Sequence, residues 1–457
     1  MGFLAGRKVL VAGAGVTGRS AAEALLAAGA EVVVTDGSAD RLEALDTLLS
    51  GVELVPGLTE PPPGTDLVVT SPGWRPESPL LAAATERGIE VIGEVELAWR
   101  MGAELADAPV WLAVTGTNGK TTTVGMLESI LHAAGADAVA CGNVGLPVVD
   151  ALLAGRRVLA VELSSFQLYW SPSVRPQAGV LLNLAEDHLD WHGGMDGYAQ
   201  AKAQVLTGDV AIGWLDDDRV ADLLEDSPAT DQVGFTLDEP EDGQLGVRDG
   251  WLVDRAFADD EPLIEVSRIR PAGPPGIADA LAATALARAY GVPSEAVRIG
   301  LERFEPAAHR AVLVADADGV KYVNDSKATN PHAAVASLRA FPSVVWIAGG
   351  LLKGASVEEM VRTEAHRLRG AVLIGADREV IAEALARHAP DVPVRVLDTG
   401  DHDAMAAMST VVRAAAELAQ AGDTVLLAPA AASMDMFTDY AHRGQAFTSA
   451  VRELLGR

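Results

Sequence analysis

Short apolar runs alternate with longer amphipathic stretches at the start of this sequence. The apolar runs cover residues 8–12, 31–35 and 67–70, and the amphipathic stretch 18–28 separates the first two. A short apolar run bounded by glycine and polar residues predicts a buried strand, whereas an apolar period of 3.6 residues predicts a helix. Strands and helices that alternate in this way are typical of βαβ units, so we predict a parallel sheet.

The same alternation returns twice more. A helix is predicted at 94–101 and a linker at 102–109. The second group of predicted elements has strands at 110–114, 158–162 and 178–184, and helices at 121–134, at 278–290 and from Ser294. The acidic stretch 216–261 lacks long apolar runs, so we predict short strands and loops at the sheet edge there. The third group begins near Glu305, with strands at 344–348, 371–374 and 424–428.

Length and charge narrow the possible functions. A chain of 457 residues is long enough for about three domains. Its 64 acidic and 35 basic residues give a net charge of −29, which repels nucleic acid and anionic lipid, so we expect neither as a partner. No apolar run approaches the roughly 20 residues of a membrane span, and no signal peptide is recognisable. We expect a monomer in the cytoplasm. The one cysteine, Cys141, excludes an intrachain disulfide, and we expect it to be a buried structural thiol.

A glycine-rich turn follows the first predicted strand. Gly13, Gly15 and Gly18 precede a predicted helix, and Asp36 ends the next strand. This pattern is that of a dinucleotide-binding turn, in which backbone N–H groups approach a diphosphate at a helix N-terminus. The residues leave NAD or FAD, another nucleotide diphosphate, and a plain tight turn as open alternatives.

A second glycine-rich segment, 115–122, lies between the strand at 110–114 and a helix. Gly116, Gly119, Lys120 and Thr121 have the order of a phosphate-binding loop, in which amides surround phosphates, the lysine neutralises them and the hydroxyl ligates Mg²⁺. Val114 stands where the usual pattern has its first glycine. We therefore predict three α/β domains: a Rossmann-like domain at 1–107, a central P-loop-type ATPase domain with a parallel sheet at 108–304, and a Rossmann-like domain at 305–457.

Polar residues at the ends of later strands are candidate ligands. Glu162 ends the strand at 158–162, where a carboxylate beside a phosphate-binding loop is well placed for Mg²⁺. Residues 183–192 hold Glu186, Asp187, Asp190 and two histidines, which favour a hard cation over zinc or are plain polar loop residues. Lys202 lies on a predicted helix, and its spacing alone predicts a solvated lysine.

Three polar loops of the third group follow strands. They cover residues 322–331, 349–354 and 429–433. Ligands of open α/β sheets bind at the carboxyl ends of strands, so each loop is a candidate ligand contact.

Taken together, these segments resemble the Mur ligase family over nearly the whole chain. The string TGTNGKTTT from Thr115 is typical of the family at large. The strings ELSSFQL from Glu162, NLAEDHLDWH from Asn183, NDSKATNP from Asn324 and SMDMF from Ser433 resemble the member that adds glutamate to UDP-N-acetylmuramoyl-L-alanine. The resemblance implies an amide ligase of peptidoglycan synthesis that consumes ATP, with two Mg²⁺ sites.

The resemblance also implies residue roles in the first two domains. The first domain would bind the UDP part of the substrate, so the glycine turn would hold a uridine diphosphate and not NAD. The residues implied for this substrate are Val16, Thr17, Asp36, Ser71, Gly73, Asn143 and His188. Those implied for ATP are Gly116, Thr117, Asn118, Gly119, Lys120, Thr121 and Thr122. The implied metal ligands are Thr121, Glu162, His188 and a carbamylated Lys202, and the implied catalytic residues are Lys120, Glu162, His188 and Lys202.

In the third domain the resemblance implies contacts to ATP by His309, Arg310 and Asp325. It implies an amino-acid site formed by Lys327, Thr329, Lys353 and Ser433. The family pattern breaks before the helix at 278–290, where a His-Asn pair and a further Asn usually contact adenine. This chain has Pro275, Gly276 and Asp279 there. The affinity for the nucleotide and the choice of base therefore do not follow from the resemblance.

Several alternatives remain open on the sequence. An NAD-dependent dehydrogenase would leave the phosphate-binding loop unexplained. A nucleotide-binding switch would bind ATP without ligation, and a sister ligase would add another amino acid. The stereochemistry of the glutamate is not fixed by the motifs.

Overall fold

The computed structural model describes residues 2–306, 309–398 and 404–456. The chain forms two compact units. Unit 1 comprises Met1–Arg268 with Ala278–Phe304, and unit 2 comprises Ile269–Ile277 with Glu305–Arg457. The described residues form three sheets, of which two belong to unit 1 and one to unit 2.

The first sheet of unit 1 has the strand order β3-β2-β1-β4-β5, and all its strands are parallel. Its strands are β1 Lys8–Ala12, β2 Glu31–Thr35, β3 Glu53–Leu54, β4 Leu67–Thr70 and β5 Glu90–Gly93. Its helices are α1 Val16–Ala27, α2 Ala39–Asp46, α3 Pro79–Glu86 and α4 Glu94–Ala103. The strand order reverses beside β1, so the carboxyl ends of β1 and β4 flank a crevice of the kind that binds ligands in α/β proteins.

The second sheet of unit 1 has the order β14-β13-β12-β11-β10-β9-β6-β8-β7. Its strands are β6 Val110–Thr115, β7 Ala138–Gly142, β8 Val158–Glu162, β9 Ala178–Leu181, β10 Val210–Trp214, β11 Asp231–Phe235, β12 Gln244–Arg248, β13 Trp251–Asp254 and β14 Glu261–Glu265. Its helices are α5 Lys120–Ala133, α6 Val148–Leu153, α7 Ser165–Tyr169, α8 Leu189–His192, α9 Met195–Ala203, α10 Asp218–Glu225, α11 Pro274–Ala289 and α12 Ser294–Arg303. Only β12, β13 and β14 form antiparallel pairs within this sheet.

Unit 2 has one sheet of order β15-β16-β20-β17-β18-β19. Its strands are β15 Val312–Ala317, β16 Val320–Asn324, β17 Val344–Gly349, β18 Leu368–Ile374, β19 Val394–Val396 and β20 Thr424–Leu427. Its helices are α13 Pro331–Arg339, α14 Glu358–Glu364, α15 Arg378–His388, α16 Ala404–Leu418 and α17 Tyr440–Leu454. Every residue of β17 and β20 is buried, as expected for central strands covered on both faces. The pairing is parallel except between β15 and β16.

The predicted fold class is confirmed: the molecule is a three-domain α/β protein with mostly parallel sheets. The edge strands predicted in 216–261 are present, but a helix, α10, was missed there. Asp217 caps its N-terminus, and Val220 and Leu224, four residues apart, bury one face. The helix was not predicted because its buried face has only these two apolar residues among acidic ones.

Two predicted bounds also differ from the structure. The strand predicted at 178–184 ends at Leu181, because the following residues turn toward the phosphate-binding loop. Helix α11 begins at Pro274 rather than 278, since proline is well suited to the first turn of a helix. Cys141 is buried and has no disulfide partner among the described residues, as predicted. No helix in the described part of the chain is long and apolar enough to cross a membrane.

Candidate active site

The glycine turn after β1 is held by Asp36. The backbone N–H groups of Ala14 and Ser38 each donate to its carboxylate at 2.8 Å, and Arg41 Nη1 lies 3.7 Å from it. Burial acts to raise the pKa of Asp36, but these hydrogen bonds and the Arg41 charge outweigh it and hold the pKa below its ordinary value. Asp36 therefore supports the turn that it was predicted to accompany, and it is ionised at neutral pH.

Ser71 and Gly73 follow β4, which lies beside β1 in the sheet. A Cβ atom at Gly13, whose φ is +112°, would lie 2.3 Å from Ser71 Oγ, so only glycine lets the two loops approach this closely. A cavity of about 530 Å³ lies against the loop after β4 and is lined by Gly73, Trp74, Arg75, Glu77 and Ser78. Val16 and Thr17 begin α1 at the same edge of the sheet, and Val16 is one of the most exposed apolar side chains. These residues, which are predicted to bind the nucleotide-linked substrate, thus lie at one edge of the first sheet.

The phosphate-binding loop runs from Thr115, at the end of β6, to α5. Asn183 fixes its middle: its Oδ1 accepts from Asn118 N–H at 2.9 Å and its carbonyl accepts from Thr117 N–H at 2.9 Å. Gly116 and Gly119 have φ values of +155° and +87°, which side chains rarely tolerate. The loop therefore keeps its shape through the glycine conformations that the sequence pattern predicted, and also through a neighbouring strand end that it did not.

Lys120 is the first residue of α5. Its Nζ donates to the carbonyls of Gly116 and Thr117, at 2.8 and 2.9 Å. The lysine thus lies across its own loop, and Thr121 and Thr122 follow it in the first turn of the helix. Helix N-termini favour anions, so a cation and a helix end converge at the place where the sequence predicts phosphates.

Glu162 ends β8, the strand next to β6, and is buried. Asn143 Nδ2 donates to Glu162 Oε1 at 2.9 Å, and the Asn143 N–H donates to the Glu162 carbonyl at 2.8 Å. The structure therefore brings together an implied metal ligand and an implied substrate contact. Gly142, with φ +111°, permits this approach, because a Cβ there would lie 2.1 Å from the Glu162 carbonyl oxygen.

Lys202 is buried on α9, which contradicts the interpretation as a solvated lysine that spacing alone suggested. Its Nζ donates to the Gly116 carbonyl at 2.8 Å and to Thr115 Oγ1 at 3.3 Å. Burial and the nearby positive charge of Lys120 hold the pKa of Lys202 well below its ordinary value, although Asp187 and Glu162 raise it. The amine is thus predisposed to be neutral.

Tyr198 supports both Lys202 and the loop. Its ring lies 4.8 Å from Lys202 Nζ, and its hydroxyl lies 2.9 Å from Thr117 Oγ1. Tyr198 was not predicted from the sequence. The spacing of four residues between Tyr198 and Lys202 places them on one helix face, and this was the available signal.

The histidines after β9 have different environments. His188 has φ +52° at the start of α8 and packs its ring 4.6 Å from that of Phe166. His192 Nε2 lies 2.9 Å from Ser165 Oγ. Burial, together with the charges of His188 and Lys202, lowers the pKa of His192 to about 4. His192 is therefore a neutral partner of Ser165, whereas the more exposed His188 has its Nε2 3.5 Å from Asp187 Oδ1.

Asp279, in the segment that departs from the family pattern, lies against the phosphate-binding loop. Thr123 Oγ1 donates to Asp279 Oδ1 at 3.2 Å, and a Cβ at Gly119 would lie 2.3 Å from the same oxygen. A carboxylate at this place adds negative charge beside the predicted phosphate site.

In unit 2, Asp325 follows β16. Ser337 donates to its carboxylate, and Ala311 N–H donates to Oδ1 at 3.2 Å. Burial outweighs these contacts and the charge of Arg310, so the pKa of Asp325 is raised. His309 has φ +65° and lies 3.0 Å from Asn324 Nδ2, and burial lowers its pKa. The structure thus brings the three residues predicted to contact ATP in this unit to one strand end.

The residues predicted for the amino acid lie on three loops of unit 2, after β16, β17 and β20. Lys327 Nζ lies 3.8 Å above the Tyr440 ring, and Thr329 is two residues further along the same loop. Lys353 is exposed, whereas Ser433 is buried. The loops of Lys353 and Ser433 are joined by a bridge between Leu351 and Ala432. Because β16, β20 and β17 are neighbours, the three loops emerge side by side.

Arg443 on α17 donates hydrogen bonds to all three loops, and this role was not predicted from the sequence. Its guanidinium donates to Ser326 Oγ at 3.0 Å, to the Ser326 carbonyl at 2.9 Å, to the Ala431 carbonyl at 3.1 Å and to the Gly349 carbonyl at 3.4 Å. Burial lowers its pKa to about 10, so it remains charged at neutral pH. An arginine in a helix gives no local signal of such a role.

The side chains of unit 1 suit Mg²⁺ at the phosphate-binding loop. No three His, Cys, Asp or Glu side chains within the described ranges gather as a ready-made metal site. Mg²⁺ in phosphate-handling proteins needs only one or two protein oxygens, with phosphates and water completing its shell. The Thr121 hydroxyl and the buried Glu162 carboxylate are oxygen donors of this kind.

Three family models match consecutive parts of the chain. They are the MurD-like N-terminal domain of Mur ligases at residues 7–93, the Mur ligase middle domain at 114–249, and the Mur ligase glutamate ligase domain at 309–431. Their order agrees with the three sheets of the structure.

Curated relatives match at full length. The chain is 56% identical to the UDP-N-acetylmuramoylalanine--D-glutamate ligase of Thermobifida fusca (strain YX), with 99% of this chain and 100% of that protein covered. It is 54% identical to the protein of the same name from Rhodococcus jostii (strain RHA1), with coverages of 99% and 96%.

Solved structures confirm the fold. MurF from Acinetobacter baumannii matches with a TM-score of 0.62 at 18% identity, covering 94% of this chain and 91% of that one. MurC from Thermotoga maritima matches with a TM-score of 0.60 at 16% identity, covering 98% and 99%. The family predicted from the motifs is therefore confirmed, and this chain belongs to the Mur ligase family of ATP-dependent amide ligases.

Proposed function

We propose that this chain joins D-glutamate to UDP-N-acetylmuramoyl-L-alanine at the expense of ATP, in peptidoglycan synthesis. Relatives that are 52 to 56% identical over nearly the whole chain are named as D-glutamate-adding ligases, which supports the substrates and the stereochemistry. The structural observation that carries the proposal is the hydrogen bond from Lys202 Nζ to the Gly116 carbonyl of the phosphate-binding loop. A plain nucleotide-binding switch has no need of a second buried lysine there.

In this proposal, Lys120 and the loop residues from Gly116 to Thr122 bind the phosphates of ATP. Lys120 already lies across the loop and offsets the charge that develops during phosphoryl transfer. Thr121 and Glu162 hold one Mg²⁺, and His188 with Lys202 contributes to a second. Bound Mg²⁺ would polarise phosphoryl oxygens and neutralise their charge.

We further propose that Lys202 acts as a carbamate. A lysine must be neutral to react with CO₂, and both burial and Lys120 lower the pKa of Lys202. Carbamylation replaces a cation by a carboxylate-like oxygen donor, which suits Mg²⁺. Nearby Thr115 and Tyr198 then orient this group by contact.

The nucleotide-linked substrate is assigned to the first sheet of unit 1 and to Asn143 and His188. Val16, Thr17, Asp36, Ser71 and Gly73 lie on loops at the carboxyl ends of neighbouring strands, where uridine diphosphate would meet the N-terminus of α1. NAD is not required, because the same turn geometry serves any nucleotide diphosphate.

In unit 2 the proposal assigns His309, Arg310 and Asp325 to ATP. Lys327, Thr329, Lys353 and Ser433 are assigned to glutamate, because two lysines and two hydroxyls suit a dicarboxylate. We place the domain bounds at 1–107, 108–304 and 305–457. We also propose that the protein acts as a monomer in the cytoplasm, away from nucleic acid and membrane.

The proposed chemistry has two steps. A carboxylate oxygen of the L-alanyl group attacks the γ-phosphorus of ATP, ADP leaves, and an acyl phosphate forms. The glutamate amine then attacks the acyl carbon, loses a proton, and expels phosphate as the amide forms. The acyl phosphate is needed because a free carboxylate is a poor electrophile.

The test is phosphate release by the purified protein with ATP, Mg²⁺ and UDP-N-acetylmuramoyl-L-alanine, with D-glutamate, L-glutamate or neither added. We expect release that depends on D-glutamate. A preference for L-glutamate would move the assignment to a sister specificity. Release that no amino acid stimulates would exclude a ligase and favour a nucleotide-binding switch.

A further inference from the structure

We propose that Arg75 and Asp190 form a clamp that sets the spacing between the Gly73 loop and His188, and that Arg75 is thereby a positioning residue for the nucleotide-linked substrate. This inference rests on the proposed function, since Gly73 and His188 are assigned to that substrate. It adds a specificity-determining pair: the sequence indicated Asp190 only as a candidate cation ligand, and it did not indicate Arg75.

The Arg75 guanidinium makes two hydrogen bonds to Asp190. Arg75 Nη1 donates to the Asp190 carbonyl at 3.0 Å, and Nη2 donates to the Asp190 carboxylate. A planar guanidinium that meets two acceptors of one residue fixes direction as well as distance, which a lysine cannot do. The Asp190 carbonyl belongs to the one-turn helix α8, and the last carbonyls of a helix have no partner within it.

Arg75 and Gly73 lie in the same loop, so the contact that fixes Arg75 also constrains Gly73. Within it, Trp74 N–H donates to the Ser71 carbonyl at 3.2 Å, and Ser78 N–H donates to the Arg75 carbonyl at 3.0 Å. Ser71 N–H donates in turn to the Ala12 carbonyl of β1 at 2.8 Å. The loop is therefore a braced turn, and the cavity of about 530 Å³ that Gly73 and Arg75 line lies against it.

Asp190 is tied to His188 on the other side. The His188 carbonyl accepts from Trp191 N–H at 3.1 Å and from His192 N–H at 3.2 Å, so α8 and His188 move together. The clamp thus joins a loop of the first sheet to a segment of the second sheet, both within unit 1.

The clamp is not needed to hold the two sheets together. Buried contacts between them lie elsewhere: Glu94 accepts from Val149 N–H at 2.7 Å, and Glu96 accepts from Ser173 N–H at 3.0 Å. The Arg75 and Asp190 side chains are 50% and 75% exposed. Exposed ion pairs contribute little to stability, so loss of this pair should change substrate binding and leave folding intact.

The experiment is a double-mutant cycle with Arg75→Ala, Asp190→Ala and the double variant, measured by D-glutamate-dependent phosphate release. We expect each single variant to raise KM for the UDP-linked substrate about tenfold. The double variant should have a KM no higher than that of the more impaired single variant. KM for glutamate should stay within twofold. Arg75→Lys should behave like Arg75→Ala, because lysine keeps the positive charge but lacks the planar guanidinium that meets both acceptors.

Arg87→Ala is the matched control. Arg87 also makes a two-point contact, to the Pro61 carbonyl at 2.8 Å and to the Glu60 carboxylate, and is similarly exposed. This variant should leave both KM values unchanged. An unchanged KM in Arg75→Ala would overturn the clamp. Multiplying effects in the double variant would also overturn it, because Arg75 would then act on the substrate without Asp190. Absence of D-glutamate-dependent release in the unaltered protein would instead overturn the proposed function.

Discussion

Lys202 Nζ lies 2.8 Å from the Gly116 carbonyl, so a buried lysine of α9 is hydrogen-bonded to the phosphate-binding loop itself. Lys120 Nζ lies at the same distance from the same carbonyl. Burial and the charge of Lys120 hold the pKa of Lys202 well below its ordinary value, so the charged form of this second amine is disfavoured.

Removal of the carbamate-forming amine should abolish turnover while the fold persists. We expect Lys202→Arg to lower kcat by about 100-fold or more, because an arginine cannot become an oxygen ligand for Mg²⁺. In the unaltered protein, ¹³C-labelled bicarbonate should give a carbamate carbon signal that is absent from the variant. A variant with full activity, or an unaltered protein without the signal, would contradict the role proposed for Lys202.

Asp279→Asn should strengthen ATP binding. The carboxylate lies against Gly119 in the phosphate-binding loop, so its charge opposes that of the phosphates. Asparagine keeps an oxygen that can accept from Thr123 and removes the charge. We expect KM for ATP to fall by about threefold to tenfold. Measurement at several salt concentrations provides a check, since the advantage of the variant should shrink as salt screens the charge. An unchanged KM would show that the charge of Asp279 does not oppose ATP binding, and a higher KM would show that the carboxylate contributes to it.

Arg443→Met should affect both stability and amino-acid binding. The variant leaves the acceptors on Ser326, Gly349 and Ala431 without their donor, which should lower the free energy of unfolding by about 3 kcal/mol or more. KM for glutamate should rise, because the three loops lose their common anchor.

Arg369→Met is the control for this prediction. Arg369 pairs with Asp423 at the opposite, amino end of β20, at 3.2 Å. Its loss should leave KM for glutamate unchanged. Equal effects of the two variants on KM would show that Arg443 matters only for folding.

Glu94 should make stability depend on pH. Its Oε2 is buried with no hydrogen-bond partner in the described part of the chain. Burial raises the pKa of Glu94 to about 7, and Asp150 adds to this, against the N–H groups of Val149 and Val148. The folded protein therefore holds this proton more tightly than the unfolded chain. Stability should fall as pH rises from the ordinary pKa of 4.5 to about 7, and should be flat above that.

Glutamine cannot ionise, so Glu94→Gln removes this dependence of stability on pH. Relative to the unaltered protein, we expect the variant to gain about 3 kcal/mol between pH 5 and pH 8. Urea unfolding of both proteins at intervals across this range measures the difference. Parallel stability curves would contradict the raised pKa.

Much of the fold followed from local pattern. The apolar runs of β1, β2, β4 and β8 are bounded by glycine or polar residues, and their predicted limits match the structure. Helix α10 did not follow, because its buried face consists of only two apolar residues within an acidic stretch.

The site was predictable where chemistry is contiguous in sequence. The loop from Gly116 to Thr122 is such a case: the structure brings Lys120 and the first turn of α5 to one place, and their contact with ATP stays a prediction. Roles that depend on distant partners were not predictable. Arg443 contacts residues 12, 94 and 117 positions away, and no periodicity reports such contacts. The pKa of Lys202 likewise depends on burial, which the sequence around it does not show.

The proposed function requires that ATP cleavage be coupled to formation of one amide bond to D-glutamate. The most direct measurement is mass spectrometry of the UDP-linked product together with ADP quantification in the same reaction. We predict one glutamyl product per ADP with D-glutamate, and no product when ATP or D-glutamate is omitted. ADP formation without a glutamyl product, or a product that forms without ATP, would contradict the account.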